Sequence, residues 1–198
     1  MNGFERRRKE KEQNILQAAL DLFMKNGIKN TSVQAIAASA KVSPVTIFNY
    51  FDAKENLLIE SCTLYFNKTY NDFFQIIHSD KSFEEKMQYL IFTKSQLSKD
   101  IHPEFYEFIM LKFSESDNPY MKNFLTKGIT MYQTLFDQGK EEGVVNKDIS
   151  DQALLIYMQL LSTSMQNEDI YKAILPFTDE ITAIFLYGIY GKRDETTN

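Results

Sequence analysis

Between Ser43 and Lys54 the sequence reads SPVTIFNYFDAK. Ile47 and Phe51 stand four apart, so on a helix they share one face and anchor it inward. Pro44, Val45, Thr46 and Asn49 fall outside that face and are all short. Side chains of this kind suit contact with the edges of nucleic-acid bases. Pro44 and Val45 offer carbon to a thymine methyl, and Thr46 or Asn49 can hydrogen-bond a base. Tyr50 and Lys54 are long enough to reach phosphates alongside. A helix that starts at Asp52 would add backbone N–H donors there.

Residues for other chemistry are sparse or badly spaced. The two histidines, His78 and His102, each lack a second ligand type three or four positions away. Cys62 is the single cysteine, which excludes an internal disulfide and suits a reducing cytoplasm. The carboxylate pairs Glu84-Glu85 and Glu141-Glu142 read as solvated helix faces. No nucleophile elbow, phosphate-cradling glycine loop or zinc-protease helix occurs. The expectation is a protein that is not an enzyme and uses no metal or cofactor.

The elements that must position the short residues are helical. Ile15, Ala18, Ala19, Leu22 and Phe23 follow the spacing of one amphipathic stripe. Asn26-Gly27 ends that helix, with Gly27 in a left-handed cap. Thr31 opens a second helix with Gln34 as its capping-box partner, and the helix stops near Ala40. Ser43 caps a third helix of about eight residues, with Pro44 at its first position. The joint between them is AKV, which must turn sharply and predicts φ > 0 at Lys41. Two short helices so joined have the size of a helix-turn-helix, whose second helix enters the major groove. From the residues alone, a three-helix packing unit with no nucleic-acid role stays open.

Further helices follow: a long one from Asp52 to about His78, one capped by Ser82 and Glu85, one from Pro103, one from Pro119 to Gly143, one from Ser150-Asp151, a short piece near Ile170–Leu175, and a last one after Glu180. No alternating strand pattern occurs. The fold class is all-α, with about nine helices: a three-helix head over residues 1–54 and a helical bundle over 55–198.

Net charge is −5, yet its distribution is uneven. Residues 1–54 hold nine Lys/Arg against five Asp/Glu, and residues 55–198 hold thirteen against twenty-two. A basic head on an acidic body points to a nucleic-acid-facing module joined to a second domain. The run Arg6, Arg7, Arg8, Lys9 taken alone reads equally as a solvated arm. No apolar run approaches the roughly 20 residues that cross a bilayer, and MNGFERRRKEKEQ is not a secretory signal. The protein is expected in the cytoplasm and off the membrane.

The stretch TSVQAIAASAKVSPVTIFNYFDAKENLL resembles the DNA-binding domain of the TetR family of bacterial regulators. The matching residues are Thr31, Ile36, Ala37, Ala40, Val42, Ser43, Thr46, Ile47, Tyr50, Phe51, Lys54, Glu55 and Leu57, and the likeness spans residues 11–58. Three positions depart from the family pattern: Lys41 replaces a glycine, Phe48 a tyrosine, and Val45 a smaller residue. The resemblance implies a regulator that binds a palindromic double-stranded operator. Thr31, Ser32, Lys41, Ser43, Pro44, Val45, Thr46, Asn49, Tyr50 and Lys54 are the expected DNA contacts.

For the body the resemblance implies a pocket for a small apolar or aromatic ligand whose binding releases a repressor. Tyr65, Phe92, Tyr106, Met110 and Tyr132 combine bulk with a polar tip or a flexible side chain and are the expected lining. It also implies a homodimer built by the terminal helices. Leu154, Tyr157, Leu161 and Met165 form a stripe beside Met158. Together with Ile184, Phe185 and Gly188 they make the expected interface. A regulator governed by a protein partner, with no small inducer, is the alternative.

Overall fold

The computed structural model describes residues 2–87, 89–90, 101–113, 119–164, 167–177, 180–181, 184 and 188–189; at 112, 119, 158–159, 161–164, 168, 171 and 175 it describes the backbone only. The described residues are all-α. The chain divides into two compact units, Met1–Thr69 with Ser98–Phe113, and Tyr70–Leu97 with Ser114–Asn198. The expected domain boundary at residue 54 falls inside the first unit. Among the described residues no helix is long and apolar enough to cross a membrane.

The first unit starts with α1, Gly3–Asn26. Asn2 caps it by accepting from the N–H groups of Phe4 and Glu5, and Glu5 returns a bond to the Asn2 N–H. Its buried side is Ile15, Leu16, Ala18, Ala19, Leu20 and Phe23, and residues 2–11 are exposed throughout. Gly27 ends the helix at φ 80°, ψ 173°. That is extended backbone of positive φ, open essentially to glycine, and not the left-handed helical cap expected. A Cβ on Gly27 would lie 2.6 Å from Glu104 Oε2 and 2.7 Å from the His102 ring. The Glu104 carboxylate is this close because it accepts from the N–H groups of Ile28 at 2.9 Å and Lys29 at 3.1 Å.

Helix α2, Val33–Ser39, and α3, Pro44–Phe51, are short. Ser32 is the N-cap of α2, accepting from the Ala35 N–H, where Thr31 with Gln34 was expected. Lys41 sits between the helices at φ 56°, as the sharp joint demands. Ser43 caps α3 with Pro44 in its first turn. Ile36, Ala37, Ile47 and Phe51 are buried and hold the pair.

Helix α4 runs Lys54–Ile77 without a break. Asp52 does not open it: Asp52 is the C-cap of α3, at φ 60°, ψ −45°. After α5, helical at 83–87 and 89–90, comes α6, Pro103–Glu107, which continues as a π-helix over Phe108–Phe113. Within the first unit Phe105 stacks on Phe23 with ring centroids 6.0 Å apart, and Phe113 stacks on Phe66 at 5.4 Å.

The second unit has its own core of Phe73, Ile77, Phe83, Met87, Leu90, Met131, Leu135, Phe136, Val145, Leu154 and Ile189. Helix α7, Pro119–Glu141, passes close to Phe83 and Val145 at Gly139, where a Cβ would stand 2.6 Å from Val145 Cγ2. Lys86 is buried, and its ammonium donates to the Ile77 carbonyl at 2.8 Å and to Gln138 Oε1 at 2.7 Å. A cation at the C-terminal carbonyls of α4 suits the helix dipole. The expected capping box of Ser82 and Glu85 is present. Helices α8, Asp151–Ser164, and α9, Glu168–Ile174, follow.

Candidate nucleic-acid interface

Helix α3 presents a narrow outer face because its inner face is fixed first. Ile47 and Phe51 are buried. On the side away from them Val45 is 66% exposed and Phe48 45% exposed, with Asn49 also exposed. These three are spaced i, i+3, i+4 and so lie together. Phe48 was absent from the expected contacts, although the same spacing rule includes it once Val45 and Asn49 are chosen. Pro44, Thr46 and Tyr50 are half-buried and flank the face.

The cap orders the first turn. Ser43 Oγ accepts from the Thr46 N–H at 3.1 Å and lies 2.9 Å from Thr46 Oγ1. The Thr46 hydroxyl therefore already has one partner, and keeps spare hydrogen-bonding capacity for a second. Ser32, Lys41 and Ser43 are exposed around the turn. At the far end Arg8 of α1 lies over Tyr50, its guanidinium carbon 5.8 Å from the ring centroid. The cation faces the ring, a contact that links the exposed part of α1 to the end of α3.

Two expected contacts are corrected. Thr31 is fully buried, and its hydroxyl donates towards the carbonyls of Gly27 at 2.7 Å and Leu22 at 3.2 Å. It ties the end of α1 to the turn before α2 and has no path to DNA. Lys54 is half-buried, and its ammonium donates to the Ile28 carbonyl at 2.7 Å while lying 6.0 Å from the Phe23 ring centroid. A lysine held inward by a carbonyl is not a phosphate contact in this conformation.

Of the expected ligand residues, Tyr65, Tyr106 and Met110 belong to the first unit and Tyr132 to the second. Tyr65 and Tyr106 are neighbours. Burial pushes the Tyr65 phenol up to about 12, and a hydrogen bond with Thr69 works against that rise. Cys62 is also beside Tyr65, and burial raises its thiol to about 12. Met110 is half-buried on the π-helix. Tyr132 stacks on Phe136 against the core of the second unit. Phe92 lies outside the described residues.

Of the expected interface residues, Leu154 is corrected: it is 3% exposed and belongs to the core of its own unit. Tyr157, Ile184 and Gly188 are exposed. The side chains of Met158 and Leu161, and the residues Met165 and Phe185, lie outside the description. Ile156 and Leu160 are exposed on α8 and were not expected there.

Residues 15–60 match the bacterial regulatory proteins of the tetR family. The chain is 44% identical over 62 residues to the uncharacterized HTH-type transcriptional regulator YuxN of Bacillus subtilis (strain 168), a stretch that is 31% of this chain and 21% of that protein. The chain thus spans about a fifth of the length of that curated relative. Over nearly the whole chain the fold resembles FadR from Bacillus subtilis in complex with stearoyl-CoA, with TM-score 0.57, 17% identity, and coverage of 89% of this chain and 96% of that one. It also resembles the fatty acid degradation regulator FadR from Bacillus halodurans, with TM-score 0.59, 20% identity, and coverage of 90% and 99%. The likeness to the tetR family thus lies in residues 15–60, which carry α2, α3 and the joint at Lys41, and the likeness to the solved structures is one of fold.

Proposed function

We propose that the protein is a transcriptional regulator that binds a near-palindromic operator as a homodimer and is released by a small apolar or aromatic ligand. The observation that carries the DNA reading is the outer face of α3. Val45, Phe48 and Asn49 are exposed together on a helix whose first turn Ser43 fixes. A valine and a phenylalanine left in water on an eight-residue helix serve no packing purpose in the protomer. Against a base edge they meet thymine methyls, and Asn49 offers the donor and acceptor pair that suits adenine.

Dimerisation draws support from α8. Ile156, Tyr157 and Leu160 are exposed at i, i+1, i+4, an apolar strip that a second copy would bury. The ligand reading draws support from the aromatic surroundings of Tyr65, Tyr106 and Phe66 in the first unit. FadR from Bacillus subtilis, which shares the fold, holds stearoyl-CoA. A long acyl chain is therefore the first ligand class to try.

The test is selection of random double-stranded DNA by the purified protein, followed by footprinting. A near-palindrome is expected, and Asn49→Ala should change the preferred base at one position in each half-site. Selection that returns no shared sequence would overturn the reading.

A further inference from the structure

The first three turns of α1 have no packing role that accounts for them. Residues 2–11 are exposed, and the buried side of the helix begins only at Ile15. Phe4, the one large apolar residue there, is 70% exposed. Short isolated helices are marginal in water, yet this one is built with care. It has a complete capping box at Asn2 and Glu5 and an internal pair between Arg6 and Glu10 at 3.6 Å. Its other cations are arranged unevenly. At about 100° per residue, Arg7, Arg8 and Lys11 fall within about 100° of arc, while Lys9 lies on the far side. Arg8 is packed on Tyr50 at the end of α3. Arg7 and Lys11 have no ion-pair partner among the described residues.

We propose that this extension is a second, preformed contact to the DNA backbone, in which Arg7 and Lys11 meet phosphates flanking the bases that α3 faces. The inference rests on the DNA reading above. Arg8 is the positioning residue. By lying over Tyr50 it places the rest of the basic arc beside the outer end of α3. Phosphates run along the groove edges on either side of any helix that enters it, so cations held there meet them without reading sequence. A helical rail loses less freedom on binding than an unstructured arm, because its backbone is already ordered. The basic balance of the head, against the acidic remainder, has the sign this contact requires.

The test compares the salt dependence of DNA binding for the full chain, the double variant Arg7→Ala/Lys11→Ala, and Lys9→Ala. Alanine keeps the helix, and circular dichroism checks that it does. Each lost phosphate contact should reduce the slope of log K against log salt by about 0.9. The double variant should therefore lose about 1.8 per bound protomer, equally for operator and unrelated DNA, and Lys9→Ala should lose nothing. An unchanged slope in the double variant, with wild-type binding intact, overturns the rail and leaves the α3 reading standing. An equal loss from Lys9→Ala would mean that only overall charge matters and also overturns it. No salt-dependent DNA binding by the wild-type protein would overturn both readings together.

Discussion

Lys54 donates a 2.7 Å hydrogen bond to the carbonyl oxygen of Ile28. This bond joins the first residue of α4 to the turn that follows α1, across 26 positions of chain. The same turn is held by the Glu104 carboxylate through the N–H groups of Ile28 and Lys29, and by the buried Thr31 hydroxyl. Donors and acceptors of the turn are thus taken up from opposite sides. Lys54→Ala should lower stability by about 1–2 kcal/mol, the scale for losing a charged hydrogen bond that is partly open to water. Urea denaturation measures it. The salt slope of DNA binding should stay at the wild-type value. A slope reduced by about one per protomer, with stability intact, would return Lys54 to the phosphate.

Gly27 should be intolerant of any side chain. Its φ of 80° with ψ of 173° strains an L residue, and the added Cβ would meet Glu104 and His102 at 2.6 and 2.7 Å. Gly27→Ala should cost about 2–4 kcal/mol, combining backbone strain with displacement of the carboxylate from its N–H partners. Gly27→Ala/Glu104→Ala should recover only part of this, because the backbone strain remains. Equal stability of Gly27→Ala and wild type in thermal unfolding would contradict the account.

Lys41 presents the opposite case, a side chain where glycine fits better. At φ 56° a non-glycine residue carries a cost of about 1 kcal/mol, offset in part by the larger freedom that glycine has when unfolded. Lys41→Gly should raise the urea midpoint slightly, and Lys41→Ala should leave it unchanged. A lower midpoint for Lys41→Gly would mean that the lysine side chain makes a stabilising contact.

The three positions show what the sequence carries and what it does not. Local chemistry was legible. Ser43 with Pro44 marked the start of α3, Ser82 with Glu85 marked a capping box, and the tight AKV joint required φ > 0 at Lys41. Each depends on residues within three or four positions. Thr31 and Ser32 are adjacent hydroxyls either of which can cap. What decides between them is a pair of carbonyls, on Leu22 and Gly27, that only the folded chain brings to Thr31. Lys54 has a long stem and the pattern does not say which way it points. Its actual partner lies far back in the chain. Leu154 fails for another reason. Helix α8 is apolar on more than one face, so periodicity cannot say which face meets its own core and which a partner. Tyr65 and Tyr106 were chosen for bulk and polar tips and do come together. The same criterion chose Tyr132, which packs in the other unit.

Alkaline pH should loosen the first unit in two steps. Burial raises the Cys62 thiol from about 9 and the Tyr65 phenol from about 10, both to about 12. In the folded protein both stay protonated where the unfolded chain has already ionised. The unfolded state then binds fewer protons, so stability falls as pH rises, first above about pH 9 and more steeply above about pH 10. Cys62→Val should remove the first step and leave the second. Urea midpoints between pH 8 and 11 measure both. A wild-type midpoint that stays flat through pH 11 would show that neither group is held in its neutral form.

Leu154 and Leu160 stand six residues apart on α8 and should respond oppositely to the same change. Leu154 is 3% exposed within the core of its unit, and Leu160 is 61% exposed. An aspartate at 154 would bury an unpaired carboxylate in the apolar core of the second unit, so Leu154→Asp should unfold the protein or destabilise it by more than about 3 kcal/mol. Leu160→Asp places its charge in water in the isolated protomer and should leave folding nearly unchanged. If Ile156, Tyr157 and Leu160 are buried by a second copy, the same aspartate becomes a charge without a partner inside that contact. Sedimentation should then show a folded monomer. Operator binding should fall by far more than the loss of one half-site, since the two heads are no longer tethered. A Leu160→Asp protein that sediments as a dimer and binds DNA as the wild type does would place the subunit contact elsewhere.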